Sequence, residues 1–205
     1  MKQYQLSTGE KKFVGSHLLV AILALAVGSL FGPLQAFEHA GWDIYPYIKP
    51  LIKSYYQGLT VHGVLNALVW TTFFIMGFLT FNVMFGLKRP LRNMTLNKVG
   101  FWVMVVGVVT AAIPILANQA TVLFTFYPPL KANWAFYVGL TLVVVGSWVE
   151  GWGLFATYLA WRKENPNERT PFIAFASILT SLLWQICTVG IATEILTMLL
   201  PWSLG

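Results

Sequence analysis

The chain has 205 residues, of which 57% are hydrophobic, 16% are aromatic and only 10% are charged. This composition excludes an ordinary soluble globular domain and indicates a membrane protein. The formal net charge of +6 would suggest nucleic-acid binding in a soluble protein, but here the basic residues flank long apolar runs. Basic residues in that position determine the orientation of membrane helices. The predicted partner is therefore the lipid bilayer and not nucleic acid.

Five apolar runs are long enough to cross a bilayer, because about 20 apolar residues in helical form span its hydrocarbon core. They lie at approximately residues 13–33, 59–87, 99–116, 134–161 and 172–200. The first run is too long for the apolar part of a signal peptide, and no A-x-A cleavage pattern follows it, so we interpret it as a retained helix. The predicted fold class is all-α, a polytopic transmembrane helix bundle with five spanning helices in one membrane domain, residues 1–205.

The positions of Lys and Arg predict the orientation of the bundle. If the amino terminus lies inside, ten basic residues fall in inner segments and only Lys49, Lys53 and Lys131 fall in outer ones. This bias predicts an inside amino terminus and, after five spans, an outside carboxyl terminus. The outer connections are rich in aromatic residues and proline. Residues 34–58 carry rings that favour the headgroup region, and Pro128 and Pro129 predict a stiff, non-helical cap.

The second apolar run opens with YYQGLTVHGVLNA at residues 55–67, which places His62 inside the membrane. An imidazole in hydrocarbon costs free energy unless it has a partner, so this residue is a functional candidate. Neutral imidazole is a common axial ligand of haem iron. Gly63 removes a side chain where a flat macrocycle would approach, and Asn66 shares the face of His62 one helical turn on. The alternative is a histidine that is hydrogen-bonded to a neighbouring helix.

Acids within a membrane span are costly and are usually paired or functional. Glu150 lies sixteen residues after Trp134, or about 24 Å along a helix, which places it in the inner half of the fourth span. It is a candidate proton relay that we expect to face a polar cavity rather than lipid; the alternative is a protonated acid bonded to a neighbouring helix. Glu194 lies near the outer end of the fifth span, where a structural role is favoured.

Cys187, the single cysteine, is predicted to be a buried structural thiol.

The motif SYYQGLTVHGVLNA at residues 54–67 resembles subunit I of the haem-copper oxidases, specifically the B-type cytochrome c oxidases. Three further stretches resemble the same family in the same order. They are GSLFGPLQA at residues 28–36, ANQATVLFTFYPPL at 117–130 and LPWSLG at 200–205.

The resemblance implies that the chain is the N-terminal five-helix portion of the catalytic subunit of a proton-pumping terminal oxidase, which transfers electrons from cytochrome c to oxygen. His62 would be an axial ligand of the low-spin haem b. A high-spin haem and copper are implied for the complete subunit, but their ligands come from later helices, and neither His17 nor His39 can replace them. The implied partners are those helices, on a continuation or a separate chain, a copper-containing subunit II and cytochrome c. The implied location is a bacterial or archaeal cell membrane.

Two alternatives remain open from the sequence. A nitric oxide reductase of the same superfamily shares the fold and the low-spin haem histidine, and a non-redox transporter or structural subunit would explain the topology and Glu150. A diheme cytochrome b is excluded, because it needs four axial ligands and only His62 lies at a suitable depth. The chain end reads as the start of an outer connection, so we expect further helices to cover a large apolar face.

Overall fold

The structure is a computed structural model that describes residues 4–123, 126 and 130–205. Five helices within these residues are long and apolar enough to cross a membrane, which confirms the predicted fold class. We number the helices in chain order as follows: α1 Thr8–Leu30, α2 Gly32–His39, α3 Tyr45–Ile48, α4 Tyr55–Leu87, α5 Met94–Leu116, α6 Trp134–Glu164 and α7 Phe172–Leu204. Of these, α1 with α2, α4, α5, α6 and α7 are the five spans.

Each observed span is longer than the apolar run that predicted it, because polar residues form the helix ends. Ser7 caps α1 in a capping box with Glu10, and Asn93 caps α5 by accepting from the backbone N–H of Leu96. Side-chain oxygens at these positions satisfy backbone N–H groups that have no partner within the helix. Hydropathy does not detect such turns.

The predicted outer stretch at residues 34–58 contains two short helices. Pro33 lies in the first turn of α2 and Pro46 in the first turn of α3, where the missing N–H and the fixed φ of proline favour a helix start. The connection from α5 to α6 is closed by a bridge between Ala120 and Ala132. Pro128 and Pro129, which predicted a stiff cap there, lie outside the described residues.

We call the two ends of the bundle the basic end and the aromatic end. The basic end is where α1 begins and where α4 connects to α5 and α6 to α7. Its connections and adjoining helix ends contain Lys88, Arg89, Arg92, Arg162 and Lys163. The aromatic end is the opposite one, with α2, α3 and the connection from α5 to α6.

Helices α5 and α6 meet through glycines. A Cβ atom on Gly107 would lie 2.6 Å from the carbonyl oxygen of Gly139, and one on Gly146 would lie 2.7 Å from that of Gly100. The backbones are therefore in direct contact, as in membrane helix pairs that associate through small residues.

Helix α7 is the least enclosed of the five spans. Many of its large apolar side chains are exposed, including Phe172, Leu183 and Ile186. Cys187 is exposed as well, so the prediction of a buried thiol is wrong. The physical reason is that an apolar run in a membrane protein does not distinguish a residue that faces the bundle from one that faces outward.

Candidate functional site

His62 lies on α4 seven residues after Tyr55, or about 10 Å along the helix from the aromatic end. The next turn, Val64–Val69, is π-helical and contains Asn66. The N–H of Trp70 bonds to the carbonyl of Leu65, five residues back. Such π turns frequently occur at functional sites. The helix is therefore irregular beside the candidate ligand.

The ring of His62 is held by α1. Its Nδ1 lies 2.9 Å from the carbonyl oxygen of Gly28. A carbonyl only accepts hydrogen bonds, so Nδ1 carries the hydrogen and donates it, and in the neutral ring Nε2 then has the free lone pair. This is the tautomer that a metal-binding imidazole needs, with its other nitrogen bonded to a backbone carbonyl.

The side-chain amide of Asn66 lies 3.2 Å from the same Nδ1 of His62. Because Nδ1 already carries a hydrogen, it cannot accept another from the amide nitrogen. The amide oxygen must therefore face Nδ1, after a half turn about the Cβ–Cγ bond. The predicted association of Asn66 with His62 is thus present in the structure.

Two glycines of the first span form a groove for this pair. A Cβ on Gly32 would lie 3.4 Å from Cε1 of His62, and one on Gly28 would overlap the terminal side-chain amide of Asn66 and lie 2.9 Å from Cβ of Leu65. The groove exists because neither position carries a side chain. Gly63, in contrast, is buried, whereas His62 and Asn66 are partly exposed.

We expect Gly28→Ala to disturb the His62 site, because the new methyl group overlaps Asn66 and the groove cannot widen freely. Overpacking of this kind costs about 1–3 kcal/mol. The matched control is Gly15→Ala on the same helix, where nothing lies within 4 Å of the added Cβ and helix propensity favours alanine by roughly 1 kcal/mol. The measurement is thermal stability of the purified membrane complex. Equal stability of the two variants would contradict the groove.

Two other residues of the 55–67 motif fix the start of α4, and sequence reasoning missed both. The buried amide nitrogen of Gln57 donates to the carbonyl of Ile115 at 2.8 Å, and its oxygen accepts from the N–H of Lys53 at 2.7 Å. The hydroxyl of Thr60 accepts from the N–H of Leu123 at 3.0 Å. The signal available in the sequence was their polarity within an apolar helix.

A second polar cluster lies nearer the basic end. Nε2 of His17 is 2.9 Å from both carboxyl oxygens of Glu150, and both side chains are fully buried. Nδ1 of His17 lies 3.0 Å from the carbonyl oxygen of Phe13. Sequence reasoning considered His17 only as a haem ligand and did not pair it with Glu150. Two costly ionisable residues in separate spans were the signal for a pair.

Glu150 therefore does not face lipid, and the polar group that its carboxyl meets is the imidazole of His17. Glu194 is partly exposed on α7, seven residues after Cys187. Across the described residues, no group of three or more His, Cys, Asp or Glu side chains is placed to hold a metal ion.

These features define a class, a multi-pass helical membrane protein in which Nδ1 of His62 is bonded to a backbone carbonyl and Nε2 has no hydrogen bond to the described residues. The chain belongs to the cytochrome c and quinol oxidase polypeptide I family, whose model matches residues 12–205. Cytochrome c oxidase subunit 1 of Thermus thermophilus is 43% identical over 200 residues, which are 96% of this chain and 35% of that protein. A haem-copper terminal oxidase dimer solved by cryo-EM matches with a TM-score of 0.85 and 38% identity, over 98% of this chain and 34% of that one.

The resemblance to haem-copper oxidase subunit I is thereby confirmed. The comparisons do not favour the nitric oxide reductase alternative, and family membership supports the subunit I prediction over a non-redox transporter. The family implies haem and copper cofactors, a multi-pass membrane protein and a complex with other oxidase subunits. The chain spans about a third of the length of the relatives it matches.

Proposed function

We propose that this chain is the N-terminal five-helix portion of the catalytic subunit of a B-type, proton-pumping terminal oxidase, which transfers electrons from cytochrome c to oxygen. The observation that carries the proposal is the hydrogen bond from Nδ1 of His62 to the carbonyl of Gly28. It leaves Nε2 as the available nitrogen ligand, and His62 is the axial ligand that we propose for low-spin haem b.

The residues around His62 fit such a group. Imidazole is a usual axial ligand of haem iron, and the hydrogen bond to the backbone carbonyl at 2.9 Å fixes the tautomer and the orientation of the ring. His62 is only partly covered by its own chain, which leaves an edge for another component. A bound haem supplies one-electron transfer. Gly28 and Asn66 keep the His62 ring in place, and Gly63 adds no side chain next to the ligand.

The rest of the reaction requires groups beyond this chain. We propose that the ligands of a high-spin haem and of copper come from the remaining helices of subunit I, on a continuation or on a separate chain. The exposed apolar side chains of α7 form a surface that such helices can cover. A copper-containing subunit II and cytochrome c are the proposed electron-transfer partners.

We propose that the basic end lies in the cytoplasm of a bacterial or archaeal cell. Ten of the thirteen Lys and Arg residues then lie inside, in accordance with the positive-inside rule. In this orientation His62 lies near the outer surface, on the side from which an external cytochrome c would deliver electrons, and Glu150 lies nearer the cytoplasm.

The function is tested on the intact complex purified from membranes through a tag on this chain. We expect haem absorption bands and oxygen consumption that depends on reduced cytochrome c. A purified, monodisperse complex without haem bands would contradict the proposal. Haem bands without oxygen consumption would favour another redox activity over the oxidase.

A further inference from the structure

The buried pair of His17 and Glu150 is the feature that the proposed function leaves unexplained. It joins α1 to α6 across 133 residues of sequence. Both side chains have no exposed surface, and the pair lies in the part of the bundle that crosses the membrane. Unpaired, either ionised group would be very costly at this position, and paired groups of this kind in membranes often mark proton sites.

The surroundings of the His17 ring are apolar and closely packed. The rings of Phe13 and Phe101 lie 4.8 and 4.7 Å from the His17 ring, and Phe73 lies 6.1 Å away, measured between centroids. A Cβ on Gly77 would lie 2.7 Å from Cβ of His17. Aromatic rings and glycine contribute no side-chain donor that could stabilise an ionised carboxylate.

The hydrogen bonds of the pair determine its proton content. Nδ1 of His17 must carry a hydrogen, because its neighbour is the carbonyl oxygen of Phe13. One further proton is shared between Nε2 and the carboxyl group of Glu150. In the described part of the chain, both carboxyl oxygens have this one nitrogen as their hydrogen-bond partner, and burial with few hydrogen-bond donors disfavours an ionised carboxylate.

We propose that His17 and Glu150 form a site for one exchangeable proton, in which Glu150 is a carboxylic acid that donates its O–H to Nε2 of His17. Transfer of that proton breaks the O–H bond and forms an N–H bond, giving an imidazolium next to a carboxylate. The pair has no net charge before or after the transfer. The proton can therefore move within the pair without placing a net charge in the apolar surroundings.

Polar atoms on the side of the basic end provide a route for exchange. Gly77 contacts His17, and Gly100 would place a Cβ 2.6 Å from Cγ of Glu150. One helical turn nearer the basic end on the same two helices lie Thr80 and Asn97. The hydroxyl of Thr80 and the amide oxygen of Asn97 are buried and have no partner among the described residues. Buried polar atoms of this kind are positions where water binds in protein interiors.

Other ionisable groups on the helices around the pair lie away from it. On α1, the carboxylate of Glu10 is bonded to Tyr4 and Ser7. On α5, Lys98 is exposed, and α4 contributes Phe73 and Gly77. Within the described residues, no Lys, Arg or other His nitrogen lies within 4.0 Å of the Glu150 carboxyl. Among the described Lys, Arg and His side chains, His17 is therefore the one that can exchange a proton directly with Glu150.

The test is infrared spectroscopy of the intact purified complex at pH 8, where an ordinary exposed glutamic acid is ionised. We expect a protonated-carboxyl band in the wild type that disappears in Glu150→Gln, shifts in His17→Gln and is unchanged in the control Glu194→Gln. Transfer to D₂O should shift the band. Absence of a carboxyl band that depends on Glu150, or a band that does not shift in D₂O, would overturn the proposal.

A second variant tests the route without altering the pair. Thr80→Val removes the hydroxyl and keeps the shape, so we expect slower hydrogen–deuterium exchange of the Glu150 band. Thr193→Val, at an exposed position on α7, is the control and should exchange at the wild-type rate. Equal exchange in both variants would contradict a route through Thr80.

If the Glu150→Gln variant does not assemble, the wild-type complex labelled with ¹³C-glutamate is measured in its place. The absence of any labelled protonated-carboxyl band at pH 8 then overturns the proposed site.

The infrared test of the His17–Glu150 site does not depend on oxidase activity, because the bands are measured without turnover. If the complex is the proposed oxidase, Glu150→Gln and His17→Gln should also lower proton uptake while the low-spin haem spectrum stays unchanged. Unaltered proton uptake in both variants would leave the pair with a structural role only.

Discussion

Replacing His62 by alanine should remove the low-spin haem from the assembled complex. The substitution deletes Nε2, the proposed iron ligand, and also the Nδ1 donor to the carbonyl of Gly28 at 2.9 Å. No other histidine is a substitute. His17 has both ring nitrogens engaged by Phe13 and Glu150, and His39 lies at the end of α2. The measurement is the reduced-minus-oxidised optical spectrum of the purified complex, in which the low-spin band should be lost.

The matched control is His39→Ala. His39 is exposed, and its Nε2 lies 3.4 Å from the hydroxyl of Tyr55. Its loss should leave the low-spin band at wild-type intensity. A normal low-spin band in His62→Ala, in a complex that is assembled to the same extent as this control, would show that His62 is not the ligand.

The second large effect is expected from Gly139→Leu, which should prevent stable assembly. A Cβ at Gly139 would lie 2.5 Å from the backbone nitrogen of Ala111 and 2.6 Å from the carbonyl oxygen of Gly107. These atoms belong to the backbone of α5, so no rotation of a side chain can relieve the overlap. We expect a cost at or above the upper part of the roughly 1–3 kcal/mol range for overpacking. A cost of even 1–2 kcal/mol changes the folded-to-unfolded ratio by a factor of about 5–30.

The control for this prediction is Gly190→Leu on α7, where nothing lies within 4 Å of an added Cβ. The yield of monodisperse complex in detergent is the measurement. It should fall strongly for Gly139→Leu and stay near the wild-type value for Gly190→Leu. Equal yields would mean that α5 and α6 are not in backbone contact at this point.

Hydropathy was sufficient to predict the five spans, because an apolar run of bilayer length has few alternatives to a membrane helix. It did not predict the polar turns at the helix ends, nor α2 and α3, which begin at prolines within an outer connection. It also could not assign Cys187 to an exposed face. In a membrane, residues that face lipid and residues that face the bundle are equally apolar, so the hydropathy of an apolar run does not predict which of its residues are buried.

The candidate site was predicted in part. His62 could be identified from its position in an apolar helix, and Asn66 from its spacing of one turn. The groove of Gly28 and Gly32 could not, because it depends on how α1 crosses α4, and the residues that meet are 34 positions apart. The pairing of His17 with Glu150 was missed for the same reason. Burial of either ionisable side chain alone costs free energy, which made each a candidate, but only the packing of α1 against α6 shows that His17 and Glu150 are in contact.

The central claim is that His62 is the axial ligand of a low-spin haem in a terminal oxidase. The most direct measurement is a cryo-EM map of the intact complex at a resolution that defines side chains. We expect haem density on the Nε2 side of His62, with Nδ1 still bonded to the carbonyl of Gly28 and Asn66 beside the ring. A map in which His62 contacts only protein or lipid, while both haems are bound by histidines of other helices, would contradict the claim.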